Sequence, residues 1–263
     1  MDVKPRLAVS SCLLGQKVRN NGEAAEFTEI THKWNGHFDL IGVCPEVGVG
    51  MGVPRPKTRL LNDGNSIRLV DSINGEDFTG RILEYAQVQA DALVASGICG
   101  FVFKNDSPSC GLERVNVYRD GHTRATRDGK GMFAKIFTTL YPHIPVVDEE
   151  RLKDVRQAEH FLARVHFFSL WREVGLSGWT AQTLTDFHNA NKQFLLHRSP
   201  GAKRRLGRLI TSGFDNSEHA ETVALTYMTE AQKTLNALTQ KASIANVMEH
   251  APGKITHNLP SVK

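Results

Sequence analysis

The stretch Ser107-Pro108-Ser109-Cys110-Gly111 decides how the first half of this chain is interpreted. It follows a continuous apolar run, Ile98 to Phe103, of the kind that forms a buried strand. Pro108 has no amide hydrogen to donate to a neighbouring strand, and Gly111 permits a sharp exit from the loop. We therefore predict that Cys110 lies on a rigid loop just beyond the carboxyl end of a strand.

Two earlier cysteines have the same kind of surroundings. Cys12 follows the apolar residues Leu7 to Val9, and Cys44 follows the apolar segment Leu40 to Val43. Because the carboxyl ends of neighbouring parallel strands meet at one edge of a sheet, where open α/β sheets bind ligands, we expect the three thiols to converge. Cys99 begins the later strand, roughly 16–20 Å from its end at the usual rise per residue, and is predicted to be a buried core thiol.

The chemistry of three convergent thiols narrows the choice of metal. The chain has no Cys-x-x-Cys pair, which excludes a zinc ribbon. Two centres remain open: an iron–sulfur cluster with one iron lacking a protein ligand, or zinc with an open coordination position. Thiolates favour both of these over magnesium or calcium. If the thiols do not converge, they are structural core residues.

Polar and glycine residues near these cysteines supply further candidates. Glu46, two residues after Cys44, would serve as a general acid or base if its pKa is raised, and otherwise as a local cap. Ser107 either orients a substrate or forms only a Ser-Pro turn. The glycine-rich loop Gly48 to Gly52 predicts close approach of the backbone to a cofactor or substrate. The helix start at Gly129 to Gly131 predicts an anion site.

The first 150 residues alternate strand and helix patterns. Helices are predicted for Phe78 to Ser96, with Gly97 as the C-cap, and for Met132 to Tyr141. Hairpin signatures occur at Asn62 to Asn65 and at Asp120-Gly121. We predict that residues 1–150 form an α/β domain with a mixed, mostly parallel sheet in a three-layer arrangement.

Strand patterns stop at about Asp154, and helical patterns follow. Apolar residues recur at helical spacing in four segments: Val155 to Val174, Thr180 to His197, Ala202 to Thr211 and Asn216 to about Val247. Residues 151–263 are therefore predicted to form a smaller all-α domain.

Composition and charge limit the class of protein. The 263 residues are 40% hydrophobic and 23% charged, as in an ordinary globular protein, and no run of eighteen apolar residues predicts a membrane span. The first residues, Met1 to Arg6, lack the apolar stretch of a signal peptide. We therefore expect a cytoplasmic location and reduced, metal-bound or catalytic cysteines.

Positive charge is concentrated in the second part of the chain. Residues 1–150 contain 17 Lys and Arg against 19 Asp and Glu, whereas residues 151–263 contain 15 against 9. This excess indicates either a polyanion partner for the helical domain or a solvated basic face. His188 and His197 belong to the same dense run. The candidate RNA-contacting residues are Lys192, Arg198, Lys203, Arg204, Arg205 and Arg208.

Three motifs contain the cysteines: Ser11-Cys12-Leu13-Leu14-Gly15 with Val18-Arg19, then Cys44-Pro45-Glu46-Val47, then Ser107-Pro108-Ser109-Cys110-Gly111. With these motifs, most of residues 5–145 resembles the thiouracil desulfidase family. The resemblance implies that Cys12, Cys44 and Cys110 bind a 4Fe–4S cluster whose fourth iron is open. It also implies catalytic roles for Glu46 and Ser107. Asn20-Asn21-Gly22 departs from the aromatic residue and aspartate that this family usually has after Val-Arg.

The second part of the chain contains a further set of distinctive segments: Phe161-Leu162-Ala163-Arg164-Val165, Trp171-Arg172-Glu173, Phe187-His188, Lys192, His197-Arg198-Ser199-Pro200 and Leu206-Gly207-Arg208-Leu209. These segments resemble the helical domain named after YbgA. The two domains together resemble RudS-type enzymes, which remove sulfur from 4-thiouridine in tRNA. The resemblance stops after Asn246 to His250, which predicts a helical domain shortened at its C-terminal side.

These resemblances imply a cluster-assisted, redox-neutral hydrolysis that converts 4-thiouridine in tRNA to uridine and releases hydrosulfide. The first alternative is a desulfidase that acts on free thiouracil or a thiolated nucleotide. The second alternative, from another class, is an iron–sulfur sensor that binds nucleic acid without catalysis. Release of hydrosulfide separates the enzymes from the sensor, and a steep salt dependence separates tRNA from a free base.

Overall fold

The computed structural model describes residues 4–119, 124–198, 200–215 and 219–236. The chain divides into two compact units, one of Met1–Tyr141 and Val146–Leu152, the other of Pro142–Pro145 and Lys153–Lys263. In the described ranges, none of the helices combines the length and apolar character needed to cross a bilayer.

The first unit contains the described strands and four of the described α-helices, together with a 3₁₀ turn (Ser11–Leu14) and a π-helix (Glu29–Trp34). The strands are β1 (Arg6–Ser10), β2 (Asp39–Val43), β3 (Thr58–Asn62), β4 (Ile67–Asp71), β5 (Ile98–Phe103), β6 (Val115–Arg119), β7 (Ala125–Gly129) and β8 (Val146–Asp148). The longer helices of this unit are α2 (Thr79–Ala95) and α3 (Met132–Leu140), and α1 (Pro45–Gly48) and α4 (Glu149–Leu152) are single turns.

One sheet is entirely parallel and has the order β2-β1-β5-β8. Its central strand β5 is buried along its whole length, and β1 is buried from Leu7 to Ser10, as expected of strands covered on both faces. On β5, Phe101 makes edge contacts with Phe133 and Phe137 of α3. This packing fixes β5 and α3 against each other beneath the loop that follows β5.

A second sheet has the order β4-β3-β6-β7 and is mixed. Its β3 and β6 are parallel, whereas β3–β4 and β6–β7 are antiparallel hairpin pairs. The first turn is made as predicted, since Asp63 Oδ1 accepts the amide hydrogens of Asn65 and Ser66 and Gly64 has φ 95°. The predicted turn at Asp120-Gly121 lies outside the described residues. The mixed, mostly parallel α/β class is confirmed, with its strands divided between two sheets.

The second unit is helical, as predicted. Its helices are α5 (Val155–Gly175), α6 (Ala181–Ala190), α7 (Lys192–Arg198), α8 (Pro200–Asp215) and α9 (Ala220–Asn236). The segment predicted as one helix from Thr180 to His197 is divided at Asn191, whose side-chain amide donates to the carbonyl oxygen of Phe187. Of the fourth predicted segment, the parts at 216–218 and beyond Asn236 lie outside the described residues.

Candidate functional site

The three candidate cysteines lie at one edge of the parallel sheet. Cys12 sits in a short 3₁₀ turn immediately after β1, and Cys44 immediately follows β2. Cys110 lies on the loop after β5. Because β1 pairs in parallel with both β2 and β5, the carboxyl ends of these strands are neighbours. The sheet order therefore brings together three residues that are far apart in the sequence.

A cleft of about 320 Å³ opens at this edge. Its walls include all the residues predicted as ligands or catalytic groups: Cys12, Cys44, Cys110, Glu46 and Ser107. Asn20, where the sequence departs from the family pattern, also lines it. The cationic residues of the lining are Arg19, Arg55, Lys57 and Lys104. By contrast, Cys99 is buried inside β5 and is absent from the lining, which confirms it as a core thiol.

Ser107 holds the loop that carries Cys110, which we name the Cys110 loop (Ser107 to Gly111). The Ser107 hydroxyl oxygen accepts the amide hydrogens of Ser109 at 3.2 Å and Cys110 at 3.0 Å. The Ser107 carbonyl oxygen accepts the Gly111 amide hydrogen at 2.8 Å. The local turn predicted for this serine is therefore present. Because the oxygen is used as an acceptor, its hydrogen is left to donate into the cleft.

The N-terminus of α3 is hydrogen-bonded to the Cys110 loop. Three donors serve three loop carbonyls: Gly131 N to Gly111 O at 2.7 Å, Met132 N to Pro108 O at 3.0 Å and Ala134 N to Ser109 O at 3.2 Å. A β-carbon at Gly131 would lie 2.5–2.7 Å from backbone atoms of Ser109 and Cys110. The anion site predicted at Gly129 to Gly131 is therefore wrong, because the loop itself occupies these donors.

Glu46 lies on α1, directly after Cys44. Its Oε2 is 3.5 Å from the Sγ of Cys44 and 4.0 Å from Nη2 of Arg55. The Glu46 side chain is only 12% exposed, and that of Arg55 only 6%. The thiol of Cys44, the carboxylate of Glu46 and the guanidinium of Arg55 therefore lie close together in the wall of the cleft.

The glycine-rich loop after Glu46 has a different role from the predicted one. A β-carbon at Gly48 would overlap the ring of Tyr85, so this glycine lets α1 pack on α2. Gly50 and Gly52 have φ 80° and 73° with open space around them, so they serve the turn itself. None of the three lines the cleft. What the loop brings to the cleft is Arg55.

Burial keeps the three thiols protonated when no metal is bound. It raises the pKa of Cys12, raises that of Cys44 to about 11 and raises that of Cys110 well above its usual value. Lys104 opposes the shift at Cys12, and a hydrogen bond from Ser10 opposes it at Cys110. Thiols with raised pKa values are poor nucleophiles at neutral pH, whereas metal coordination deprotonates a thiol outright. The raised pKa values therefore argue against a role for these thiols as free nucleophiles.

Lys104 and Glu149 form a second polar pair, which no sequence pattern predicted. Lys104 Nζ contacts Glu149 Oε1 and donates to the carbonyl oxygen of Asn105 at 3.1 Å. Glu149 Oε2 accepts the Asn105 amide hydrogen at 2.7 Å, and the Lys104 amide donates to the Ser10 hydroxyl. These bonds fix the chain as it leaves β5. Neither residue stands in a recognisable motif, and of the two only Lys104 lines the cleft.

The two candidate metal centres need different arrangements of their ligands. Within the described ranges, no three His, Cys, Asp or Glu side chains are arranged to hold a single metal ion. A zinc ion would need such an arrangement. In an iron–sulfur cluster each cysteine binds its own iron, so the ligand sulfurs stand farther apart than those of one ion. Three of the four cysteines of the sequence line the cleft, and thiolates are the ligands of such a cluster.

The basic residues predicted to contact RNA lie on α7 and α8. Lys192, Arg204, Arg205 and Arg208 are exposed, and Lys203 is half-buried. The side chain of Arg198 lies outside the described part of the structure. His188 is buried against the hydroxyl of Tyr227 at 3.1 Å, and burial lowers its pKa, so it adds no charge to this face. The exposed cations on α8 form a basic face of the helical unit.

The part of the chain that contains the cleft matches a known protein family. Residues 7–149 match the family described as 2-thiouracil desulfurase, and the chain belongs to this family. A solved structure of the [4Fe-4S]-dependent thiouracil desulfidase TudS is 28% identical and matches with a TM-score of 0.45. That match covers 57% of this chain and 94% of the other. No curated protein matches the chain.

Proposed function

We propose that this protein is a 4Fe–4S-dependent desulfidase that replaces the thiocarbonyl sulfur of a thiolated uracil by oxygen. Its preferred substrate is 4-thiouridine in tRNA. One observation carries the proposal: three thiols, two of them buried and one half-buried, line one cleft together with a carboxylate and a hydroxyl in a member of the desulfurase family. Cys12, Cys44 and Cys110 would hold the cluster. An open iron of the bound cluster would supply a soft Lewis acid for the thiocarbonyl sulfur.

Glu46 would provide the base of the reaction. Its carboxylate lies in the wall of the cleft and next to a proposed ligand, so a water molecule held by Oε2 faces the same space as the substrate. Transfer of a proton to Oε2 would make that water a nucleophile toward the ring carbon. The carbon gains the water oxygen and loses hydrosulfide. No electron is gained or lost in this exchange.

Ser107 would hold the ring in place. Its hydroxyl oxygen already accepts two amide hydrogens, so its remaining role toward a substrate is to donate. A donor fixed to the Cys110 loop keeps a constant position relative to the proposed ligand. This places the ring while Glu46 acts on the water.

The basic face supports tRNA as the substrate. Arg204, Arg205 and Arg208 are exposed on one helix, where cations three and four residues apart are neighbours. Contacts to phosphates supply most of the sequence-independent affinity for nucleic acid. The 4-thiouridine base must leave its stack to enter a cleft of this size. A helical YbgA-type domain in residues 151–263 would provide the tRNA contacts.

A second candidate is a desulfidase of free thiouracil or a thiolated nucleotide. The description of the matching family names 2-thiouracil, which favours a small substrate. The cleft of about 320 Å³ has room for a pyrimidine ring without any help from the helical unit. The two candidates share the chemistry and differ in the source of affinity.

An anaerobic assay of the cluster-loaded full chain separates the candidates. The substrates are tRNA that contains 4-thiouridine and free 4-thiouracil, and the readouts are loss of thiocarbonyl absorbance and release of hydrosulfide. We expect turnover of the tRNA at lower concentration, with a KM that rises steeply with salt. Turnover of the free base alone, insensitive to salt, supports the second candidate. Binding of tRNA without hydrosulfide contradicts a desulfidase and leaves the iron–sulfur sensor.

A further inference from the structure

Arg55 is a buried cation in the wall of the cleft. Its side chain is 6% exposed, although it lies on a loop between α1 and β3. The Arg55 amide donates to the carbonyl oxygen of Asn20 at 2.8 Å, and Nη1 donates to that of Gly52 at 2.9 Å. Two neighbouring segments of the chain therefore hold this arginine in one position.

The guanidinium has more donors than the described residues satisfy. It carries five N–H groups, and among the described residues Gly52 O alone accepts a hydrogen bond from it. Glu46 Oε2 lies 4.0 Å from Nη2, beyond the length of a hydrogen bond. Arg55 is part of the lining of the cleft, so a ligand there can reach the remaining donors. A buried guanidinium gains most from an oxygen acceptor, neutral or anionic, that lies in line with its free N–H groups.

We propose that Arg55 determines substrate specificity by donating a hydrogen bond to the ring carbonyl oxygen that a thiolated uracil retains. This inference rests on the proposed function and names the group that the cleft recognises besides the thiocarbonyl. A uracil ring with one thiocarbonyl keeps one C=O, and oxygen is the stronger acceptor for a guanidinium. The thiocarbonyl sulfur is a soft ligand and would bind the soft metal instead.

The position of Arg55 beside Glu46 makes this recognition effective. Arg55 Nη2 and Glu46 Oε2 are 4.0 Å apart, so a ring held by the guanidinium is also close to the carboxylate. The sequence analysis did not single out Arg55, which stands between Pro54 and Pro56 just after the glycine-rich loop.

The test pairs a change in the protein with a change in the substrate. Cluster-loaded wild type and Arg55→Met are compared on two substrates, 4-thiouracil and pyrimidine-4-thione. The second substrate lacks the carbonyl oxygen that 4-thiouracil carries on its ring. We expect the kcat/KM of the wild type to be about 10- to 100-fold lower on pyrimidine-4-thione than on 4-thiouracil. Arg55→Met should lose as much on 4-thiouracil and change little on pyrimidine-4-thione. Arg55→Lys, which keeps the charge and loses the planar fork, should lie between the two.

A binding measurement provides a readout independent of turnover. The dissociation constants of uracil and of 4-pyrimidinone are measured by calorimetry on the same proteins. The wild type should prefer uracil, and Arg55→Met should bind both equally. Arg81→Met serves as the control, since Arg81 is half-exposed on α2 and pairs with Glu76 away from the cleft.

The outcomes separate this inference from the function on which it rests. An equal loss on both thiocarbonyl substrates would show that Arg55 only supports the fold of the site, and no loss would remove it from recognition. If Arg55→Met fails to load the cluster, Arg55→Lys decides by the same comparison. A wild type that releases no hydrosulfide contradicts the proposed function. Its preference for uracil over 4-pyrimidinone, lost in Arg55→Met, would still support the recognition role.

Discussion

The Sγ of Cys44 lies 3.5 Å from the Oε2 of Glu46, on the turn that follows β2. A proposed metal ligand and a proposed base are therefore fixed to each other by a single turn of helix. Any rearrangement that moves the thiol also moves the carboxylate. In the proposed mechanism this turn would couple cluster binding to proton transfer, and variants that keep the shape of one side chain would separate the two.

Replacement of Cys12, Cys44 or Cys110 by Ala should abolish cluster binding. Each residue lines the cleft, and the lining contains no further cysteine that could replace a lost ligand. We expect reconstituted variants to lose the brown colour, most of their iron and all activity together. The control is Cys99→Ala, which removes a buried thiol outside the cleft and should cost about 1 kcal/mol of stability. A variant of the first three that stays fully coloured and active would remove that cysteine from the ligand set.

Glu46→Gln should separate chemistry from cluster binding. The amide keeps the size of the side chain and removes its ability to accept a proton. We expect the rate of desulfurisation to fall about 10²- to 10⁴-fold while iron content stays at the wild-type value. Single-turnover assays on protein of known iron content make the measurement. A rate close to that of the wild type would show that another group activates the water.

Gly131→Ala should displace the Cys110 loop. Its β-carbon would meet backbone atoms of Ser109 and Cys110 at 2.5–2.7 Å, which only a movement of the loop or of α3 can relieve. We expect a loss of about 2–3 kcal/mol in the free energy of unfolding and reduced iron content. Gly80→Ala is the matched control on α2, where no atom lies within 4 Å of the added carbon. It should leave stability unchanged or raise it by up to about 1 kcal/mol. Equal behaviour of the two variants would contradict the tight contact.

The double variant Arg204→Ala/Arg208→Ala should weaken tRNA binding and spare turnover of the free base. Both side chains are exposed on α8. If each contacts a phosphate, the slope of log affinity against log salt should fall by about 2 in magnitude. Filter binding at several salt concentrations measures it. Arg156→Ala, which removes a side chain that is 80% exposed at the start of α5, is the control. An unchanged slope would move the tRNA contacts away from this face.

The stability of the helical unit should fall in acid because of His143. Burial lowers the pKa of this histidine to about 4, from about 6.5 in the unfolded chain. Between these values the unfolded chain binds a proton that the folded chain does not, so the stabilisation is complete above about pH 6.5 and is lost as the pH falls toward 4. His143 packs against Phe168 and Trp171, so His143→Phe keeps an aromatic ring there. Urea unfolding at about pH 7 and about pH 4.5 should show the variant losing about 2–3 kcal/mol less than wild type. An equal loss in both proteins would assign the acid sensitivity to other groups.

Local patterns were enough to predict the elements that carry the cysteines. The run from Ile98 to Phe103 ends where the structure ends β5. The C-cap of α2 is Ser96, one residue before the predicted Gly97, and Gly97 has the positive φ of 88° that is common in the residue after a C-cap. The hairpin at Asp63-Gly64 follows equally from local turn chemistry. These features depend on neighbouring residues, so the sequence specifies them directly.

The same local patterns could not predict contacts between distant segments of the chain. The division of the strands into two sheets depends on the parallel pairing of Leu60 with Val117, residues that no local signal connects. The donors at Gly131 resemble an anion site because nothing in the sequence shows that the Cys110 loop accepts them. Arg55 and Lys104 could not be predicted for the same reason, since their importance comes from the cleft wall that they share with the cysteines.

Anomalous diffraction at the iron edge from crystals of the cluster-loaded protein soaked with 4-thiouracil tests the central claim most directly. Our account predicts a four-iron cluster held by Cys12, Cys44 and Cys110, with the fourth iron free of protein ligands and facing the sulfur of the bound ring. A fourth protein atom bound to that iron, or a single metal ion in place of the cluster, would contradict it.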